Sequence, residues 1–240
     1  MSFLTLTTDL RRECSVSGDG PTAVTGQTGE YNRLVEWIQS AHEEIQAKWN
    51  DWAFLWKEES FSTIADQADY DLTDSGDMGG APNVISDFNE FAMFQPSSGL
   101  VGPKIWIDTT TDQLTFIPWS EYDQNAYSGT QKPYEFTITP AGKFKFLPTP
   151  DAIYSVTFEY YRTPYVMAAD ADVPLIPTRF QRAIVARAMV YYGNYESAPE
   201  VKEDGVERYN EAMAQMEASQ LPSSSEHRYS TNNNIVISAQ

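Results

Sequence analysis

The chain has 240 residues, of which 41% are hydrophobic and 13% aromatic; this is enough for a packed core and excludes a disordered polypeptide. Asp and Glu number 34 against 16 Lys and Arg, a net charge of −18 with no basic run, which argues against a groove that grips nucleic-acid phosphates. A single cysteine, Cys14, excludes an internal disulfide, and with only His42 and His227 beside it no Cys/His zinc spacing exists.

Phe3, Leu6 and Leu10 recur at helical spacing and predict a short helix over 2–14, capped by Ser2 and closed by Arg11 and Arg12. A Gly/Pro/Thr loop follows over 15–29. The clearest helix spans 30–50, where Tyr31, Leu34, Val35, Ile38, Ala41, His42, Ile45 and Trp49 form one stripe. Trp49, Trp52, Phe54 and Trp56 crowd its end and are expected to plug it onto a sheet. From there to Met167 the period turns to two. Short strands are expected over 60–72, then a Gly-rich turn over 74–82. One hairpin is expected from 104–108 with 114–117. A second is expected from 135–139 with 143–147, with Phe144 and Phe146 on one face and Lys143 and Lys145 on the other. Tyr154–Arg162 reads as a further strand with Val156, Phe158 and Tyr160 inward. A helix capped by Thr178 runs to Tyr195 along Phe180, Ile184, Ala188 and Tyr191. A last helix opens with a capping box at Ser197–Glu200, is weakened by Gly205, and runs to Ser219. The Ser/Asn-rich end, 222–240, has no helical period and finishes in Ile235, Val236 and Ile237, a triplet suited to adding a strand to a partner's sheet.

Catalytic constellations are scarce. His42 lies on an apolar stripe and reads as a core or interface histidine; His227 reads as solvated. A nucleophile–histidine pair lacks material. Asp87, Glu90, Asp108, Asp112, Glu121 and Asp123 offer carboxylates for a glycosidase pair, but a solvated acidic face is the preferred reading. Asp108 and Asp112 lack the Gly and terminal Glu of a calcium loop. Gly18–Gly29 lacks the Lys-Ser/Thr of a phosphate loop. Trp106, Trp119, Tyr122 and Tyr127 could stack on sugars, although packing is favoured. No cofactor or metal is expected. The start has no signal-peptide pattern, and no apolar run approaches the roughly 20 residues of a membrane helix.

The run Gly20–Gly29, then Leu34–Ile38 and Ile45-Gln46, resembles the start of tailed-bacteriophage head-to-tail connector (adaptor) proteins. The opening Ser2–Leu4, Leu10–Glu13 and the Trp49–Trp56 cluster are similar as well. So are Phe144–Pro150 leading into Tyr154–Arg162, and Pro174–Pro177 opening a helix with Phe180, Ile184, Val185, Ala188 and Tyr191. The resemblance covers about residues 1–220 as many weak positions, without a decisive motif and without catalytic residues to carry over.

The resemblance implies an α+β chain: a helical bundle of N-terminal helices plus two C-terminal helices, a central antiparallel β-rich insertion, and an extended C-terminal arm. The expected divisions are 1–53, 54–170, 171–220 and 221–240. It implies a virion structural protein, monomeric before assembly in the host cytoplasm and then a twelve-fold ring in the neck. That ring touches the portal protein on one side and the tail or nozzle protein on the other, and genomic DNA passes without specific binding. Arg228, Tyr229, Ile235, Val236 and Ile237 are the expected portal-contact arm. Tyr31, Leu34, Ile38, His42 and Ile45 are the expected ring-packing helix face. Another tail component (tube, nozzle or completion protein) and a carbohydrate-binding β-domain are the alternatives.

Overall fold

The computed structural model describes residues 1–79, 84–94, 102–108, 112–122, 127 and 129–222. It is α+β and divides into two compact units, 1–55 with 164–221 and, among the described residues, 56–163. Helices from both ends of the chain thus share one unit, and the β-rich stretch between them forms the other.

In the helical unit, α1 spans Phe3–Glu13 and is capped as its sequence predicts: the Thr5 N–H donates to Ser2 Oγ at 3.2 Å. Its Phe3, Leu6 and Leu10 are buried. α2 spans Gly29–Ala47 and buries Leu34, Val35, Ile38, Ala41, His42 and Ile45 along the predicted stripe. Trp52 folds back on its own helix, fully buried, and its indole Nε1–H donates to the Ile45 carbonyl at 3.0 Å. A helix end leaves carbonyls without partners, and this indole meets one of them.

α3 spans Arg182–Tyr195 and α4 spans Pro199–Gln220. Neither makes its expected cap. Thr178 opens a separate 3-10 turn, Thr178–Phe180, fixed by Pro177, and α3 begins only after it. With Pro199 in the first turn of α4, Ala198 becomes the capping residue and Ser197 stands one place too early, at φ 55°. Gly205 has a packing role as well. It is buried in the α3–α4 contact, where a Cβ would lie 2.9 Å from the Ala186 oxygen and 3.0 Å from Met189 Cβ. Its low helix propensity is offset by a close backbone approach.

Residues 164–170, expected in the β-rich part, fall in the helical unit, as 171 and 172 do. Gln46 clamps the Tyr165 backbone from both sides, donating to its carbonyl at 3.0 Å and accepting from its N–H at 2.9 Å. Asp170 Oδ1 accepts from the Val24 N–H at 2.6 Å, and the Phe3 N–H donates to the Asp172 carbonyl at 2.8 Å.

The β unit is organised by its longest strand. β1 (Trp56–Ser62), β2 (Asp69–Tyr70), β3 (Phe88–Phe91), β4 (Met93–Phe94), β5 (Gly102–Pro103), β6 (Ile105–Ile107), β7 (Thr115–Phe116), β8 (Glu135–Ile138), β9 (Phe144–Leu147) and β10 (Ser155–Arg162) follow in order. β10 pairs antiparallel with β1 on one edge and with β6 and β3 on the other. A second sheet has the order β2-β9-β8-β7, and β4 pairs with β5. The hairpin expected at 135–147 forms as β8–β9, with Phe136 opposite Phe146. The hairpin expected from 104–108 and 114–117 forms only at its base. Ile107 N–H reaches the Asp112 carbonyl and Leu114 N–H the Ile105 carbonyl, but β7 then leaves to pair in parallel with β8.

The two larger sheets share one aromatic core of Phe61, Tyr70, Phe136, Phe144, Phe146, Phe158 and Tyr160. Phe144 sits at its centre, 5.4 Å from Phe158 and 6.2 Å from Phe61 between ring centroids. Period-two alternation puts Lys143 and Lys145 on the other face, where they meet Asp77 and Asp69 at 2.7 and 2.9 Å.

Candidate functional site

In the helical unit α3 lies beneath both α1 and α4, and a groove of about 250 Å³ opens between them. Its floor is apolar: Val185, Ala186 and Met189 from α3, with Ala212 from α4. This floor follows from the short repeat of small and flexible side chains on α3, which lets α4 approach closely at Gly205. Its rim is charged. Asp9 and Glu13, four residues apart, line one wall on α1; Arg208, Glu211 and Gln215 line the other on α4. Arg208 spans the groove to Glu13 at 2.9 Å while also holding Asp204 at 2.8 Å. Arg182 is exposed and carries no ion pair among the described residues.

On another side of the unit Glu44 gathers a polar cluster. Its carboxylate accepts from Arg187 Nε at 2.8 Å and from the Tyr191 hydroxyl. Burial alone would raise the Glu44 pKa, but these two donors outweigh it and hold the acid below its usual value. The Arg187 guanidinium lies 5.0 Å from the Tyr191 ring centre and 5.4 Å from that of Tyr209. At the end of α2, Glu217 receives Lys48 at 2.8 Å and the Trp49 indole at 3.1 Å.

Four of the five residues expected to pack a ring, Leu34, Ile38, His42 and Ile45, are fully buried within the helical unit itself, so their side chains serve this chain's own core. Tyr31 is half-buried and donates its hydroxyl to the Ser17 carbonyl at 3.3 Å. His42 is walled in: Gln46 Nε2 lies 3.4 Å from its Nδ1, Tyr165 meets it edge-on, and its Nε2 has no hydrogen bond. Burial pushes its pKa down to about 4. The expected arm, Arg228, Tyr229, Ile235, Val236 and Ile237, lies outside the described residues, as do His227 and Asp123.

Asp87, Asp108 and Asp112 are engaged structurally. Asp87 accepts from the Tyr160 hydroxyl at 2.6 Å and pairs with Lys57 at 3.3 Å. Asp108 and Asp112 share Lys132 at 2.8 and 3.2 Å. Glu121 and Glu90 are exposed. Among the described residues no group of three His, Cys, Asp or Glu side chains could hold a metal ion. Cys14 is buried, and its pKa is pushed up to about 12 by burial and by Glu13, which leaves it protonated. Trp119, Tyr122 and Tyr127 stack in series, with centroids 5.0 and 6.3 Å apart, so much of the ring area a sugar would use is taken by a neighbour; Trp106 is half-buried on β6. No helix among the described residues is long and apolar enough to cross a membrane.

The geometry offers rims, grooves and aromatic faces of the kind that meet other proteins. The comparison with known families decides between the readings: the model of the family described as "SU10 adaptor protein" matches residues 1–235. The chain belongs to the SU10 adaptor family. No curated protein matches it. The SU10 adaptors are a phage head-to-tail adaptor family, so this adaptor is a virion component that works by interacting with other phage structural proteins. The groove residues Asp9, Glu13, Arg182, Met189, Arg208 and Gln215 were not legible as a site in the adaptor's sequence. The four-residue spacing of Asp9 and Glu13 opposite the apolar stripe of α1 was the one available signal.

Proposed function

We propose that this adaptor forms a closed ring, twelve-fold by resemblance, between the portal and the tail or nozzle protein in the neck of its virion. It lines the channel through which the genome leaves and performs no catalysis. The observation that carries the reading is the family match, which spans 1–235 and therefore takes in both units and most of the arm. The charge supports it: at −18 per copy, a ring would repel DNA phosphates and let the genome slide without adhering. Residues 222–240, with Arg228, Tyr229 and the Ile235–Ile237 tip, clamp the portal. Many copies of the arm acting together make the attachment firm. Assembly takes place in the host cytoplasm from monomers templated by the portal.

Mass measurement of the full chain alone and after mixing with its portal tests this. The expected result is a monomer alone and a multimer of fixed copy number on the portal. Removing 235–240 should leave the fold intact and weaken that attachment. A chain that ignores the portal but binds a purified tail-tube or completion protein would contradict the reading.

A further inference from the structure

We propose that the ring closes by a head-to-tail contact in which the Lys202–Glu203–Val206 flank of α4 in one copy enters the α1/α3/α4 groove of the next. This rests on the ring reading above and names the surfaces that make it.

Gly205 faces α3, so the two flanks of α4 lie to either side of that line. At about 100° per residue, Arg208, Glu211 and Gln215 fall about 140 to 200° around the helix from Val206. The first three line the groove. Val206, 38% exposed, stands on the opposite flank as an apolar knob on a charged surface. Glu203, three residues back, and Lys202, four residues back, are its exposed neighbours there. A contact between two different patches on opposite sides of one rigid element is heterologous, and such a contact generates a ring when its rotation closes and an open filament when it does not; the ring reading above requires the first. A contact of one patch with itself would stop at a dimer.

Shape and charge fit the pairing. The groove has an apolar floor of Val185, Ala186 and Met189 and room for a small branched side chain. Among the described residues Lys202 has no ion pair on the knob side, and Glu211 and Arg182 have none on the groove side. With Val206 seated, Lys202 comes to Glu211, and the exposed, unpaired Glu203 beside Val206 comes to Arg182. A second copy therefore answers both charges as well as the apolar floor.

The test uses virions assembled with the full chain carrying Val206→Cys and Gln215→Cys in a Cys14→Ala background. The two positions are about 13 Å apart along α4 and on opposite sides of it, so a short bis-maleimide joins only different copies. The expected result is a ladder of covalent oligomers that ends at the ring's copy number, with neither single variant giving more than monomer. Rings visible by electron microscopy without this ladder would overturn the contact and leave the ring reading standing. Absence of any ring would overturn both. A dimer from Val206→Cys alone would show a symmetric contact and refute the proposal. If the cysteine variants do not assemble, charge reversal decides: Lys202→Glu and Glu211→Lys should each lower ring yield several-fold, and the pair together should restore it. No restoration would overturn the contact.

Discussion

Gly205→Ala should destabilise the helical unit, against the direction helix propensity predicts. On an exposed helix this change gains about 1 kcal/mol. Here the new methyl would sit 2.9 Å from the Ala186 carbonyl oxygen, 3.0 Å from Met189 Cβ and 3.2 Å from Val190 Cγ2. The first of these is backbone and cannot rotate away, so α4 must move off α3. Overpacking of this kind costs roughly 1–3 kcal/mol, and a backbone clash belongs in the upper part of that range. The net loss is then roughly 1–2 kcal/mol, a fall in Tm of roughly 4–8 °C for a unit of this size. Thermal unfolding followed by far-ultraviolet circular dichroism reads it, because the helical unit supplies most of that signal. Asn210→Ala, on the exposed surface of the same helix, is the control and should raise Tm slightly. A Gly205→Ala protein that melts higher than the parent would refute the close approach of α3 and α4.

Further outcomes follow from other parts of the molecule. His42 has a folded pKa of about 4 against 6.5, so the unfolded chain binds the proton more readily. Its contribution is complete above pH 6.5 and is lost as pH falls towards 4, on the order of 3 kcal/mol. His42→Leu should flatten this part of the stability–pH curve relative to the parent, as measured by urea unfolding at a series of pH values. Gln46→Leu leaves both backbone groups of Tyr165 without their partner and should cost about 1–3 kcal/mol in the same assay. Phe144→Ala empties the centre of the aromatic core and should cost about 3–5 kcal/mol. Limited proteolysis should then cut within 56–163 while the helical unit stays intact.

The elements with the strongest periodicity were the most legible. α1, α2, β8, β9 and β10 lie within a few residues of where alternation or helical spacing put them, because each buries one face and the pattern records which. Helix starts were less legible: Pro199 moved the cap of α4 by one residue, and Pro177 gave Thr178 to a 3-10 turn. The partner of β7 could not be read at all. Two residues hold no record of which sheet they join, and the pairing with β8 is set by the tertiary fold. The sequence stripe on α2 was correctly apolar, yet an apolar stripe does not say whether its cover is the same chain or the next. Leu34, Ile38, His42 and Ile45 are covered by their own unit. The groove was hidden for a related reason: its walls come from α1 and α4, at opposite ends of the sequence.

A reconstruction of the neck in intact virions bears most directly on the adaptor's role. The expected result is a closed ring of this chain between portal and tail, with acidic side chains facing the channel and the residues beyond 222 running onto the portal. Finding the chain elsewhere in the particle, or in the neck as isolated copies that do not touch one another, would contradict it.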